Sequence, residues 1–152
     1  MKILRRGLVA MALLGLGACS KPEPINQTHT GRIDATDSVL STDNSNYDAY
    51  EFEAAEGMII TITATSTELD PYVHLMDKNG NQLAHDDDGG GGTTARVTYT
   101  APYSGSYEAY ANTARPGETG SYTLTIHTGS LASQVIPTAA GAPAGPTTPT
   151  PK

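Results

Sequence analysis

The stretch "MIITITATS", residues 58–66, alternates between aliphatic and hydroxyl-bearing side chains. Ile60 and Ile62 share one face of an extended chain, and Thr61 and Thr63 share the other. Such a period of two is typical of a β-strand that is buried on one side only. The stretch therefore predicts a strand with its isoleucines in a core and its threonines toward solvent.

The same alternation recurs along the chain in segments of similar length. These segments, with the residues expected to face inward, are "YEF" (Tyr50, Phe52), "YVHLM" (Val73, Leu75), "RVTYT" (Val97, Tyr99), "SYEAYAN" and "SYTLTIH" (Leu124, Ile126). Turn signals such as Lys78-Asn79-Gly80-Asn81 separate them. Short strands joined by turns about every 8 to 12 residues predict an all-β, antiparallel sandwich of about eight strands.

Composition changes at both ends of the chain. Residues 1–18 begin with three basic residues and continue with an apolar run, which predicts a signal peptide. The apolar run is much shorter than the roughly 20 residues that a membrane-spanning helix needs. Residues 19–27 predict a tether, and residues 129–152, rich in proline and without an aromatic residue, predict a disordered tail. The folded domain is expected over residues 28–128.

The end of the apolar run, Leu16-Gly17-Ala18-Cys19, resembles the lipobox of bacterial lipoproteins. The resemblance implies cleavage before Cys19 and attachment of a diacylglycerol to its sulfur. Two or more acyl chains hold a protein stably at a membrane. Ser20 replaces the aspartate that retains many such lipoproteins in the inner membrane, so an outer-membrane address is expected in a Gram-negative cell.

The charge of the mature chain limits its partners. Removal of residues 1–18 leaves six basic against sixteen acidic residues, a net charge of −10. Such a surface repels phosphate backbones and anionic lipid heads. We therefore expect no nucleic acid partner, and we expect membrane contact through the lipid on Cys19 rather than through charge.

Residues 47–126 resemble the bacterial pre-peptidase C-terminal domain. The ordered features that carry the resemblance are Leu69-Asp70-Pro71-Tyr72, Asp77 with Asn79-Gly80, the acidic loop before four glycines, Ser104-Gly105-Ser106-Tyr107 and Gly120-Ser121-Tyr122. The resemblance implies a jelly-roll-like β-sandwich, normally appended to secreted peptidases. Relatives in collagenases bind collagen and use calcium. No peptidase domain accompanies the module here, so we expect a binding or structural role of its own.

The loop "DDDGGGG", residues 86–92, has three interpretations: a calcium site, a catalytic loop or a solvated acidic turn. Adjacent carboxylates repel each other unless they are solvated or share a cation. Calcium takes six to eight oxygen ligands, more than one short loop supplies. A calcium site would therefore need further ligands. The candidate ligands are Asp86, Asp87 and Asp88, with Asp70 and Asp77.

Tyrosines are the other candidate functional residues. Tyr72, Tyr103 and Tyr110 are expected on outward faces or in turns, where tyrosine is common in binding surfaces. Tyr50, Tyr99, Tyr107 and Tyr122 alternate with core residues and are expected to be structural. His74 and His127 fall on outward faces by alternation and are expected to be hydrogen-bonded or solvated.

No nucleophile, base and orienting acid stand at a recognisable spacing, and no His-Glu-x-x-His helix occurs. We therefore expect a non-catalytic module of the cell envelope that binds a protein or a polysaccharide, with calcium as a candidate cofactor. The alternative is a structural or stress-related envelope lipoprotein without a discrete ligand.

Overall fold

The computed structural model describes residues 21–130, which form β-strands joined by turns, without an α-helix in this part of the chain. The strands are β1 (Asn26–Ile33), β2 (Ser38–Val39), β3 (Asn46–Ala54), β4 (Ile59–Thr65), β5 (Pro71–Asp77), β6 (Gln82–Asp86), β7 (Thr94–Thr100), β8 (Gly105–Thr113) and β9 (Gly120–Gly129). Every strand pairing is antiparallel. Over these residues there is also no helix with the length and apolarity needed to cross a bilayer. The predicted all-β, antiparallel fold is confirmed.

The strands form two sheets that pack as a sandwich. The first sheet has the order β1-β9-β4-β7, and the second has the order β2-β3-β8-β5-β6. On one side the edge strands meet, because the backbone N–H of Arg96 in β7 donates to the carboxylate of Asp86 in β6 at 2.8 Å. On the other side β1 ends the first sheet, and β2 pairs only with Asn46 and Tyr47 of β3. That side of the sandwich is therefore open.

The core lies between the sheets and follows the predicted alternation. Ile60 and Ile62 of β4 are fully buried, and Ile62 lies opposite Val97 of β7 and Ile126 of β9. Every residue predicted to face inward is in this core or packs against it. Removing a side chain of this size from water contributes about 1.5–3 kcal/mol to stability, so the central strands supply much of the hydrophobic stabilisation.

Strands β1 and β2 were not predicted. The β1 sequence "NQTHTGRI" has no large aliphatic residue before Ile33, so its alternation is invisible as a hydrophobic pattern. The strand is defined by its backbone ladder with β9, and it begins at Asn26, inside the segment predicted as a tether. The last strand ends at Gly129. The predicted signal peptide, Cys19 and the tail after residue 130 lie outside the described residues.

Candidate functional site

A cleft of about 1080 Å³ lies on the open side of the sandwich. One wall comes from β1 at residues 30–32, and the other comes from β3 at residues 47–50. Parts of β8 and β9 and the segment 65–68 also line it. The cleft follows from the topology, since the first sheet stops at β1 and β2 covers only the first two residues of β3.

A chain of hydroxyl groups crosses the inner end of the cleft. Tyr122 of β9 is buried, and its hydroxyl donates to the Asp48 carboxylate at 2.7 Å. The Tyr50 hydroxyl lies 2.6 Å from the Tyr122 hydroxyl and therefore donates to it. Burial raises the pKa of Tyr122 above its ordinary value, and the bonds to Tyr50 and Asp48 add to this effect. The Tyr122 hydroxyl therefore keeps its proton at neutral pH and holds the two walls together.

A pair of stacked tyrosines lines the cleft farther out. The rings of Tyr47 in β3 and Tyr110 in β8 lie 4.3 Å apart between centroids, with 18° between their planes. Both side chains are half-buried, and the Tyr110 hydroxyl donates to Glu108 at 3.1 Å. The pair offers flat aromatic surface that is already ordered, which lowers the entropic cost of binding a ligand.

Acidic groups outnumber basic groups among the described residues that line the cleft. The acidic residues are Asp34, Asp37, Asp48, Glu68 and Glu108, and the basic residue is Arg32. Arg32 Nη1 lies 2.9 Å from Glu68 Oε2, and the Ser121 backbone N–H also donates to Glu68 at 2.9 Å. The Ser121 N–H and then the Arg32 guanidinium lower the pKa of Glu68. The lining is thus negative and rich in hydrogen-bond acceptors.

Of the three tyrosines predicted as a binding surface, Tyr72 and Tyr110 share the outer face of the second sheet, and Tyr103 lies apart from them. Tyr110 lines the cleft, whereas Tyr103 does not. The Tyr103 ring stacks on Tyr107 with centroids 4.9 Å apart, and its carbonyl accepts a hydrogen bond from the Tyr107 hydroxyl at 2.7 Å. This local bond resembles the tyrosine corner of β-sandwiches. The Tyr103 hydroxyl itself is buried, although the side chain as a whole is half-buried, and the predicted binding role of Tyr103 stays a prediction.

Tyr72 lies on the outer face of the second sheet, in an aromatic cluster with His74 and His85. The Tyr72 hydroxyl is hydrogen-bonded to His85 Nδ1. His74 faces outward as predicted but is only 6% exposed, because its neighbours cover it. His74 Nδ1 lies 2.7 Å from Gln82 Oε1 and His74 Nε2 lies 3.3 Å from Asn112 Nδ2, which suits a neutral ring that donates from Nδ1. Burial lowers the pKa of His74 and favours this neutral state.

The five aspartates predicted as calcium ligands lie at opposite ends of the β5–β6 hairpin. Asp70 precedes β5, and Asp86 lies opposite Val73 near the same end. Asp77 ends β5, about 20 Å away at roughly 3.3 Å per residue. One ion cannot contact both ends, so the predicted five-residue set is wrong in including Asp77.

Asp77 instead caps the hairpin turn. Its Oδ1 accepts the backbone N–H groups of Asn79 and Asn81, each at 2.8 Å. Its Oδ2 accepts the side-chain amide of Asn81 at 2.9 Å. These bonds, with the Asn81 amide first, lower the pKa of Asp77. The carboxylate is fully used in fixing the turn.

The four other aspartates share one acidic region. Asp86 Oδ2 accepts two backbone N–H groups, one of them from Arg96, and so ties the loop to β7. Asp88 is exposed; desolvation and then the neighbouring carboxylates of Asp87, Asp70 and Asp86 raise its pKa. Within residues 21–130, no three histidine, cysteine or acidic side chains are placed to hold a metal ion. These four residues do not form a ready calcium site, and calcium binding there stays a prediction.

The sequence alone does not indicate the main parts of the cleft. The alternation of Tyr50 and Tyr122 with core residues predicts only structural roles for them, and no local pattern marks Tyr47 or Asp48. Their grouping depends on which strands form the open edges, and that order arises from pairings between distant segments. The local signal was the run "DATD", residues 34–37, whose two aspartates line the cleft directly after β1.

Comparison with known proteins identifies the fold. Residues 46–113 match the sequence model of the bacterial pre-peptidase C-terminal domain. No curated protein matches the chain significantly. The pre-peptidase C-terminal domain of a collagenase from Bacillus anthracis has a similar structure, with 20% identity and a TM-score of 0.50, over 67% of this chain and 89% of that chain.

Two periplasmic inhibitors of g-type lysozyme were also found. The inhibitor from Salmonella Typhimurium is 21% identical with a TM-score of 0.47, over 68% of this chain and 91% of its own. The inhibitor from Aeromonas hydrophila is 13% identical with a TM-score of 0.47, over 76% and 93%. The family match and the collagenase structure agree with the resemblance noted in the sequence. Residues 46–113 are therefore similar to the bacterial pre-peptidase C-terminal domain, and the chain shares the fold of that domain.

Proposed function

We propose that this chain is a non-catalytic binding protein of the bacterial cell envelope, anchored by lipid on Cys19, whose sandwich binds a protein or a polysaccharide. The observation that carries the proposal is the cleft between β1 and β3. It gathers stacked tyrosines, carboxylates and hydroxyl groups around one concavity of about 1080 Å³. Ligand sites are typically concave and combine aromatic surface with a few placed polar groups.

The chemistry of the cleft suits both ligand classes. The Tyr47 and Tyr110 rings offer flat faces for a sugar ring or for an extended peptide. The surrounding carboxylates accept hydrogen bonds from sugar hydroxyls or from peptide and ammonium N–H groups. Acceptors outnumber basic groups, so the cleft disfavours anionic ligands such as nucleic acids.

The lining supports binding rather than catalysis. The described residues that line the cleft include no histidine, cysteine or lysine. A tyrosine or serine hydroxyl needs an adjacent base to act as a nucleophile. The most enclosed hydroxyl, that of Tyr122, has a raised pKa and is held by Tyr50 and Asp48. The Tyr122 hydroxyl is thus arranged to hold its proton.

The alternative is a structural envelope lipoprotein without a discrete ligand. It is favoured by the outer face of the first sheet, where threonines stand in rows across neighbouring strands. These residues include Thr61, Thr63, Thr98 and Thr125. A uniform hydroxyl surface keeps a protein soluble without marking a binding site. The two functions therefore differ in whether the cleft side of the sandwich binds a ligand.

Two binding assays test the proposal on the mature protein, residues 19–152 carrying Cys19→Ser. In one, the protein is sedimented with purified peptidoglycan sacculi; in the other, it is immobilised and exposed to solubilised envelope proteins. We expect specific retention in at least one assay. The double variant Tyr47→Ala with Tyr110→Ala should lose it, whereas Tyr72→Ala, outside the cleft, should keep it. Circular dichroism melting confirms that each variant is folded.

Two outcomes contradict the proposal. If neither sacculi nor envelope proteins are retained, the structural alternative is correct. If the folded double variant binds as well as Tyr72→Ala does, the binding surface lies outside the cleft.

A further inference from the structure

Strand β1 has a hydrogen-bonded neighbour on one side only within the part of the chain that the structure describes. Its register with β9 is unbroken along its length. Just before β1, the Ile25 carbonyl accepts the Thr128 backbone N–H at 2.9 Å. In an antiparallel ladder, backbone groups point alternately toward the partner strand and away from it. The N–H and C=O groups of Thr28, Thr30 and Arg32 therefore point toward the open edge.

The open edge of β1 borders the cleft, because residues 30–32 line it. The first sheet has four strands and the second has five, so one more strand beside β1 would face the uncovered part of β3. β1 contains no proline or lysine, two residues that commonly protect an edge strand from pairing. Addition of a peptide strand to such an edge is a recurrent form of recognition.

The charge of the cleft selects the peptide. Alternate side chains of an added strand would point into the cleft. There they would face the inner side of β3, where Asp48 lies, in a cleft whose described lining holds five acidic residues and one arginine. Lysine or arginine at every second position fits this lining, and glutamate or aspartate does not.

We propose that β1 receives an extended, basic segment of an envelope protein as a fifth strand of the first sheet. Backbone groups of Thr28, Thr30 and Arg32 bond the segment, and its alternate lysine or arginine side chains enter the cleft. The inference rests on the proposed binding function and names the partner class, a basic peptide rather than a polysaccharide.

The probe is a synthetic octapeptide that alternates lysine and threonine, and the protein is residues 19–152 with Cys19→Ser. Fluorescence anisotropy measures binding at low and at high salt. A glutamate–threonine octapeptide is the charge control. Two further lysine peptides carry N-methyl groups on one or the other alternate set of backbone amides. We expect the glutamate peptide to bind at least about tenfold more weakly, and only one of the methylated peptides to bind.

A matched pair of protein variants tests the edge. Thr30→Pro removes an N–H that points to the open edge of β1. Thr98→Pro removes the equivalent N–H of β7, the opposite edge strand, where the neighbouring Arg96 N–H also points outward to Asp86. Proline is tolerated at such edge positions. We expect Thr30→Pro to bind the lysine peptide about tenfold more weakly than the parent, or more weakly still. Thr98→Pro should bind it as tightly as the parent does.

Amide hydrogen exchange provides a second readout. Bound lysine peptide should slow exchange at Thr28, Thr30 and Arg32. Equal binding by both proline variants, equal binding by both methylated peptides, or unchanged exchange at these amides would overturn the proposal. So would dimerisation of the protein through β1 in place of peptide binding. Because sedimentation with sacculi does not depend on β1 pairing, the proposed function can survive such a result.

Discussion

Gly31 is the residue that allows the inner end of the cleft to form. A Cβ atom at this position would lie 2.4 Å from the Tyr122 hydroxyl oxygen and 2.5 Å from the adjoining ring carbon. The ring therefore crosses β1 where the strand has no side chain, and its hydroxyl reaches Asp48 on the other wall. The absence of a side chain at Gly31 thus allows Tyr122 to link the two sheets at the cleft.

Gly31→Ala is expected to destabilise the domain by about 1–3 kcal/mol, because the buried Tyr122 ring must shift to make room. Thermal unfolding measures the effect, which corresponds to a loss of several degrees in a domain of this size. Thr30→Ala, an exposed neighbour on the same strand, is the control and should change stability by no more than about 0.5 kcal/mol. An unchanged melting temperature for Gly31→Ala would show that Tyr122 does not need this close approach.

His74 is expected to make the fold sensitive to acid. Burial lowers its pKa below the ordinary value of 6.5; the bond to Gln82 and the Asp43 carboxylate oppose this effect, and His85 adds to it. As pH falls, the unfolded chain binds the proton before the folded chain does. The stability that the neutral ring supplies is therefore fully present above about pH 6.5 and is lost as pH falls below it.

We expect His74→Gln to lose less stability than the parent between about pH 7 and about pH 5. Denaturant unfolding across this range measures the difference. His29, whose pKa is also lowered by burial, contributes in the same direction and stays in both proteins. Parallel pH profiles for the parent and His74→Gln would rule out this role of His74.

At the scale of elements, the sequence predicts a strand only where its side chains alternate in polarity. β4 and β9 satisfy this condition, because their aliphatic residues face the core between the two sheets. β1 does not satisfy it, because β1 is defined by backbone hydrogen bonds to β9, and its side chains show no alternation in polarity. Local turn chemistry was partly readable: Asn79-Gly80 marked the β5–β6 hairpin correctly. The role of Asp77 as a turn cap instead of a metal ligand required the hydrogen bonds themselves.

The acidic loop after β6 is expected to be a turn whose neighbouring carboxylates repel each other and so lower the stability of the fold. The raised pKa of Asp88 means that the folded chain holds this proton more tightly than the unfolded chain does. The ionised carboxylate therefore opposes folding at neutral pH. Asp88→Asn should raise the melting temperature, measured near pH 7 in the presence of a chelator.

Calcium and magnesium provide the counter-test at matched ionic strength. A calcium site should give a larger increase in melting temperature with calcium than with magnesium, whereas a solvated turn should respond to both cations alike. A calcium-specific increase in the parent that disappears in Asp88→Asn would show that the aspartates do converge on the ion.

At the scale of the whole molecule, the proposed function combines an acidic binding domain with a lipid anchor. Under this proposal, the net charge of −10 would keep the mature chain from anionic surfaces, and the proposed lipid on Cys19 would hold it at the membrane. A tethered domain also meets its envelope partners at a high effective concentration. Weak binding in the cleft would therefore suffice for function.

Lipidation is expected to depend entirely on Cys19. Cys19→Ser should abolish acylation and release the protein from the membrane fraction, because two or more acyl chains are needed for stable anchoring. Mass spectrometry of the mature amino terminus and cell fractionation measure the two effects. An unmodified Cys19 in the parent, or a mature terminus elsewhere, would refute the anchor.

The central claim is that the cleft between β1 and β3 contacts the partner in the envelope. In-cell photo-crosslinking tests it most directly, with a photoreactive amino acid at Thr67, which lines the cleft, and at Thr98 on the opposite edge of the first sheet. We predict a discrete crosslinked product from position 67 and none from position 98, with both proteins folded and membrane-bound. Equal products from the two positions, or products from position 98 alone, would contradict the claim.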